Sequence, residues 1–323
     1  MPWSNTNGND VDTGISESVS QTLMPGDTVA VFGASGNVGK LVALRLSDTY
    51  KVNGIVRDAS SVESFFEGRE DRIQLFEADL LKDLDQISSG TCPASLADAL
   101  SNANAIVICT GTTAFPTKAW SRKEDKEVTS DVVGALLDSK FDVKTAISKL
   151  DSANLNTPNN IDALGNQLIF SAWNAASKVK KKRAILLSSI GVQRRDQMPF
   201  PILNACGVLD AKAIAEQSLK DESENNGYAF TIIRPGQLFG GPYDNNYYLG
   251  TLFQLDKDAT NRDVEVGLGD NLLGDTLRST LAEVTAQICE TDSAVNTDFA
   301  VVNVKGEIPS TDDIQIKLKE LNK

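Results

Sequence analysis

The chain has 323 residues, 41% of them hydrophobic and 23% charged, with a formal net charge of −13. That length and apolar content support a large core, while the acidic balance argues against a broad phosphate-neutralising face and so against bulk nucleic-acid binding. The absence of any histidine excludes a Ser-His-Asp triad, histidine-ligated zinc and imidazole acid–base chemistry.

Residues 1–25 are polar and unpatterned and read as a flexible lead-in. From Thr28 onward, short aliphatic runs alternate with helical patterns, the mark of parallel βαβ units. Strands are expected at "TVAVF" (Thr28 to Phe32), "KVNGIV" (Lys51 to Val56), "RIQLFEA" (Arg72 to Ala78), "AIVICT" (Ala105 to Thr110), "RAILLSS" (Arg183 to Ser189) and "AFTIIR" (Ala229 to Arg234). Their continuously apolar character predicts an α/β Rossmann fold: a doubly wound parallel sheet with helices on both faces.

Between the fourth and fifth strands lies a polar insertion, about 114–160, long enough to carry its own helices, act as a lid or lack order. The helix after it, "NNIDALGNQLIFSAWNAASK", places Ile161, Leu164, Leu168, Ile169 and Trp173 at helical spacing, as core residues. The run "KVKKKR", Lys178 to Arg183, reads as cations solvated at a helix C-terminus, with a docking patch for an acidic partner as the alternative. Beyond Pro235 the composition turns to Gly, Tyr and Asn. An amphipathic stretch Ser279 to Cys289 and the strand-like "DFAVVNV" follow, so that 236–323 reads as a small C-terminal substrate lobe of a single domain over 26–323.

The chemistry concentrates at "GASGNVG", Gly33 to Gly39, where the first strand turns into a helix. Glycine permits the dihedrals of a sharp turn and lets a pyrophosphate approach the backbone. The helix N-terminus adds unpaired donors and partial positive charge. Gly33 would make the turn, Gly36 admit the phosphate and Gly39 let helix and strand pack closely, so the segment Gly33, Ser35, Gly36, Asn37, Val38 and Gly39 is the expected dinucleotide cradle. Where an NAD-specific site ends its second strand in an acid, this chain reads "GIVRD": Arg57 can clamp a 2′-phosphate, which favours NADP (NADPH), while Asp58 leaves NAD as the less favoured cofactor.

The four cysteines, Cys92, Cys109, Cys206 and Cys289, form no CxxC pair, and neither a disulfide framework nor a metal site is expected. No run of about 18 apolar residues exists, so no membrane span is expected, although peripheral association stays compatible with the composition.

"GASGNVG", "EADL" after the third strand and "IIRPG" after the sixth resemble the atypical short-chain dehydrogenase/reductases, NmrA-like branch, over about Thr28 to the C-terminus. More narrowly, "CTGTTAFPTKAW", "PILNACGVLDAKAIAEQSL", "TIIRPGQLFGGPYD" and "GLGDNLLGDTLRSTLAEV" are similar to plant and algal plastid members of that group, relatives of the translocon-associated dehydrogenase-like protein. The resemblance implies that Asp79 and Leu80 flank the adenine, that Thr110 and Gly111 lie along the ribose and phosphates, and that the protein works in a plastid, in the stroma or on the thylakoid. It also implies that Lys212 is the lysine of the usual Tyr-x-x-x-Lys pair, which depresses the tyrosine pKa and binds nicotinamide ribose. Val208 stands where the tyrosine belongs, so the usual proton donor is missing. Ser188 and Ser189, which either bind a substrate carbonyl or satisfy the strand end, and Tyr243, Tyr247 and Tyr248 in the presumed lobe are the remaining polar candidates, with Lys212, Ser189 and Tyr243 the expected catalytic set.

Two functional readings follow. The first is an NADP(H)-dependent oxidoreductase on a small or lipophilic substrate. The second is a protein that binds the cofactor without chemistry, as a redox sensor or assembly factor of a plastid complex. A sugar-nucleotide epimerase-like enzyme is a third, weakened by the same missing tyrosine.

Overall fold

The computed structural model describes residues 22–122, 127–240 and 260–321. Six parallel strands form as the apolar runs predict: β1 (Thr28–Phe32), β2 (Lys51–Val56), β3 (Ile73–Glu77), β4 (Ala105–Ile108), β5 (Arg183–Leu187) and β6 (Ala229–Pro235). They lie in the order β3-β2-β1-β4-β5-β6, which reverses direction between β1 and β4 and opens a crevice at their carboxyl ends.

Each strand's alternation feeds two cores. Val29 and Val31 of β1, Ala105 and Val107 of β4 and Ile185 of β5 point to one face, where α1 (Gly39–Leu46) packs. Ala30 and Phe32, Ile106 and Ile108, and Ala184 and Leu186 point to the other, against α2 (Ala94–Ser101). The period of two along a strand buried on both faces thus explains why no polar position interrupts the middle of β1, β4 or β5.

The interval read as an insertion carries α3 (Thr129–Asp138) and α4 (Val143–Ser152), packed on a small core of their own built from Trp120, Val128, Ala135, Ala146 and Leu150. Of the three forms open at the sequence level, its described residues take the helical one. The next segment is not one uniform α-helix: Asn159–Gly165 is a π-helical turn that runs into α5 (Asn166–Ala176). Leu168, Ile169 and Trp173 are fully buried as expected, whereas Ile161 lies at the wall of the crevice. Further on come the short α6 (Phe200–Leu203) and the long α7 (Val208–Asn226).

The C-terminal part is more closely joined to the sheet than a separate lobe implies. A three-residue strand, β7 (Gln237–Phe239), pairs with β9 (Asp275–Leu277). The strand β8 (Asp263–Leu268) runs antiparallel to β10 (Thr297–Val304), which in turn extends the main sheet parallel to β6, giving eight strands. Helices α8 (Arg278–Glu290) and α9 (Thr311–Glu320) complete the layer that includes α1. Within the stretch read as a lead-in, Leu23 is buried in this same core and its amide donates to the Cys289 carbonyl at 3.4 Å. Residues 1–21 lie outside the described residues.

The basic run is largely committed to the fold. Lys182 pairs with Asp27 at 2.6 Å, and Lys181 sits over the Trp173 and Tyr228 rings. Arg183 is fully buried. Its guanidinium donates to Thr231 Oγ1, to the Ile288 carbonyl in the last turn of α8, and to the Thr291 and Ser293 carbonyls just past it. Burial pulls its pKa down to about 10, and nearby acidic groups only partly restore it. Lys178, Val179 and Lys180 of the run are exposed. Among the described residues no helix is long and apolar enough to cross a membrane.

Candidate functional site

A cleft of about 270 Å³ lies over the carboxyl ends of β1, β2, β3 and β4, at the point where the strand order reverses. Its floor is the turn after β1. Gly33 takes φ +75°, a left-handed conformation that glycine adopts without penalty, and a Cβ there would press on the Thr110 amide at 3.1 Å. The Gly36 amide donates back to the Gly33 carbonyl at 2.9 Å, closing the turn. At Gly39 a Cβ would stand 2.1 Å from the Gly33 carbonyl oxygen, so only glycine lets α1 start this close to the strand.

The turn leaves donors over. The amides of Ser35, Asn37, Val38 and Gly39 have no protein acceptor among the described residues, and they sit at the positive end of α1. A cradle that side chains would fill, with four unpaired amides at a helix N-terminus, fits the pyrophosphate of a dinucleotide. Of the six residues expected to form it, Gly33, Ser35 and Gly36 line the cleft. Val38 instead buries its side chain in the core beside α1.

Arg57, at the end of β2, lines the cleft, is exposed, and makes no ion pair with any described residue. Asp58 is occupied locally: its Oδ1 accepts from the Ser60 amide and hydroxyl, at 2.9 and 2.7 Å. Asp79 and Leu80 follow β3 and also line the cleft, as do Thr110 and Gly111 after β4. The Asp79 carboxylate is held by Arg122 from the insertion, with Lys82 at 3.9 Å. The insertion supplies a further wall through Ala119 and Asn156, and the π-helical turn after it adds Ile161. Asn156 fixes this loop by donating to the Ala119 and Ser121 carbonyls at 3.1 and 2.7 Å.

Lys212 of α7 comes to the far side of Gly111, where its Nζ donates to Asp162 Oδ1 at 2.8 Å. Asp162 is fully buried on the π-helical turn, and its Oδ2 accepts from the Thr112 amide at 3.2 Å. Burial pushes the Asp162 carboxyl above the usual carboxylate range, and the Lys212 charge, with hydrogen bonds from Lys212 and Thr112, offsets only part of that rise. The sequence reading passed over Asp162 because it lies in an apolar helical stripe. A lone acid within such a stripe is the signal that could have marked it.

The serines after β5 are spoken for. Ser188 is buried and its hydroxyl donates to Glu216 Oε1. Glu216 also binds Arg234 through both oxygens, at 2.9 and 2.6 Å. The Ser189 hydroxyl donates to the adjacent Ile190 carbonyl at 3.0 Å. Both hydroxyls thus have an acceptor at the strand end. Val208 packs with Val192, Phe200 and Leu209 in a small apolar cluster, so α7 presents no phenol at that position. Tyr243, Tyr247 and Tyr248 lie outside the described residues.

The comparisons with known proteins bear on this geometry. No curated protein matches the chain. Among solved structures, a Bacillus halodurans protein described as an NAD-dependent epimerase/dehydratase aligns with TM-score 0.55 and 18% identity, over 92% of this chain and 100% of its own. The oxidoreductase ylbE from Lactococcus lactis aligns with TM-score 0.55 and 17% identity, over 91% and 96%. ChuY from Escherichia coli O157:H7, described as an anaerobillin reductase, aligns with TM-score 0.50 and 15% identity, over 88% and 99%. At those identities the likeness establishes the fold. The sequence of residues 33–292, which contains the glycine turn, the cleft and Lys212, fits the family model described as NAD(P)H-binding, and the chain belongs to that family.

Proposed function

We propose that the protein is an NADP(H)-dependent oxidoreductase of the short-chain reductase kind, acting on a small or lipophilic carbonyl or alkene. The observation that carries the reading is the set of unpaired Ser35, Asn37, Val38 and Gly39 amides at a cleft whose β2 end presents the Arg57 guanidinium, which has no ion-pair partner among the described residues. A 2′-phosphate would find a cation there, whereas the carboxylate of Asp58 is taken up by Ser60.

When bound, the nicotinamide supplies hydride exchange. The chain's own residues bind and orient: the glycine turn takes the phosphates, Arg57 and Asp79 flank the adenosine side, and Lys212 brings a cation to the β4–β5 side. The NmrA-like affiliation and a plastid setting are proposed on the resemblance of the quoted strings.

The test is a titration of wild type and Arg57→Ala with NADPH and NADH, followed by NADPH oxidation with quinones, aldehydes and enones. Arg57→Ala is expected to weaken NADPH binding by about tenfold to a hundredfold, the worth of a charge-assisted hydrogen bond, and to leave NADH unchanged. Equal loss for both cofactors would remove the NADP assignment. Tight binding with no turnover would leave the binding-only protein standing.

A further inference from the structure

The Asp162–Lys212 pair is more elaborate than stability requires. Replacing a buried ion pair by apolar side chains is often neutral or stabilising, so such a pair is weak evidence of a stabilising role. Here the acid has no side-chain exposure while the lysine side chain keeps 14%, so the carboxylate is the enclosed member of the pair and the lysine the partly exposed one.

Backbone and neighbours are shaped around the pair. Asp162 sits on a π-helical turn, a form that gives up regular hydrogen bonding and recurs at functional sites. One turn later, Asn166 donates to the Asp162 carbonyl at 2.8 Å and accepts from Thr110 Oγ1 at 3.2 Å, tying the turn to the loop after β4. Gly111 lies directly against the two charges: a Cβ there would stand 3.2 Å from Asp162 Oδ1 and 3.5 Å from Lys212 Nζ. Among the described residues Lys212 is the charged partner that Asp162 contacts.

The topology says which half of the cleft receives the cation. Arg57 and Asp79 end β2 and β3 on one side of the crevice. Gly111 and α7 belong with β4, β5 and β6 on the other. A dinucleotide spanning the strand-order reversal puts its adenosine over the first half and its second nucleoside over the other.

We infer that Asp162 is a positioning residue, which holds the Lys212 ammonium beside Gly111 at the nicotinamide half of the cleft. This rests on the cofactor reading above. Without the carboxylate, Lys212 has no fixed partner among the described residues and its four-carbon stem can swing away from Gly111.

Calorimetric titration with two probes tests it: NADPH, which spans both halves, and adenosine 2′,5′-bisphosphate, which reaches only the β1–β3 half. The proteins are wild type, Asp162→Asn, and the double variant Asp162→Leu with Lys212→Met, whose apolar pair keeps the core filled if the single variant fails to fold. The expected result is a loss of about tenfold or more in NADPH affinity for both variants, with the bisphosphate affinity unchanged. Wild-type NADPH affinity in either folded variant, or equal weakening of both probes, would overturn the inference alone. Failure of the wild-type protein to bind either probe would overturn the cofactor reading and this inference with it.

Discussion

Alanine at Gly36 and at Gly39 should fail in opposite ways. At Gly36 an added Cβ meets only the Gly33 carbonyl oxygen, at 3.2 Å, and the backbone is not left-handed, so the fold has to give by a few tenths of an ångström at most. Alanine also narrows the unfolded ensemble, worth about 0.4–1 kcal/mol where the native backbone suits it, so global stability should stay within about 1 kcal/mol of wild type. The methyl group, however, occupies the space through which phosphate oxygens reach the turn amides. Losing two charge-assisted hydrogen bonds at about 1.5 kcal/mol each costs about 3 kcal/mol, or roughly a hundredfold in NADPH affinity. At Gly39 the Cβ would lie 2.1 Å from the Gly33 oxygen and 2.8 Å from its carbonyl carbon, both backbone atoms. Helix α1 must therefore back away from β1, an overpacking cost of about 1–3 kcal/mol or more. Urea unfolding and NADPH calorimetry on the two variants separate the effects. Wild-type NADPH affinity in Gly36→Ala, or wild-type stability in Gly39→Ala, would refute the reasoning.

Two further expectations concern stability. Arg183→Lys replaces a fork of donors by a single ammonium and strands carbonyls in and just past the last turn of α8; with each buried unpaired group at about 1–3 kcal/mol, urea denaturation should show a loss of about 3 kcal/mol or more, and a loss under 1 kcal/mol would count against the capping role. Burial raises the Asp298 pKa, but hydrogen bonds and charge from Lys220 and Arg234 prevail and hold it below the ordinary 3.8. A depressed carboxylate pKa contributes stability that is present above the unfolded value and lost as pH falls through the folded one. Asp298→Asn should therefore be less stable than wild type at neutral pH, with the gap closing in chemical denaturation as pH drops below about 3.8; a gap independent of pH would show that charge is not what Asp298 contributes.

The sequence made β1, β4 and β5 legible because they are buried on both faces and read as near-continuous apolar runs; β2 and β6 keep that character around the buried Asn53, Thr231 and Arg234, while the half-covered edge strand β3 shows mainly through Ile73, Leu75 and Phe76. The glycine turn was legible for a related reason, since its residues are dictated by backbone geometry rather than by distant partners. β8 escaped because it pairs antiparallel with β10 and is only partly covered, so "DVEVGL" carries one fully buried residue, Val264. β7 and β9 are three residues each, too short for any period to register. The roles of Ser188 and Asp162 depend on Glu216 and Lys212, 28 and 50 residues away in the chain, and no local pattern announces such partners. Lys212 itself was found only through a resemblance, not through spacing.

Because Ala119, Asn156 and Ile161 close the cleft from outside the main sheet, and Arg122 reaches back to Asp79, a guest in that cleft touches two separately cored bodies at once. Any molecule that prefers the assembled cleft adds its binding free energy to the cohesion between them. The cofactor would then act as mortar between the helical annex and the nucleotide-binding sheet, and its depletion would be felt first at that seam.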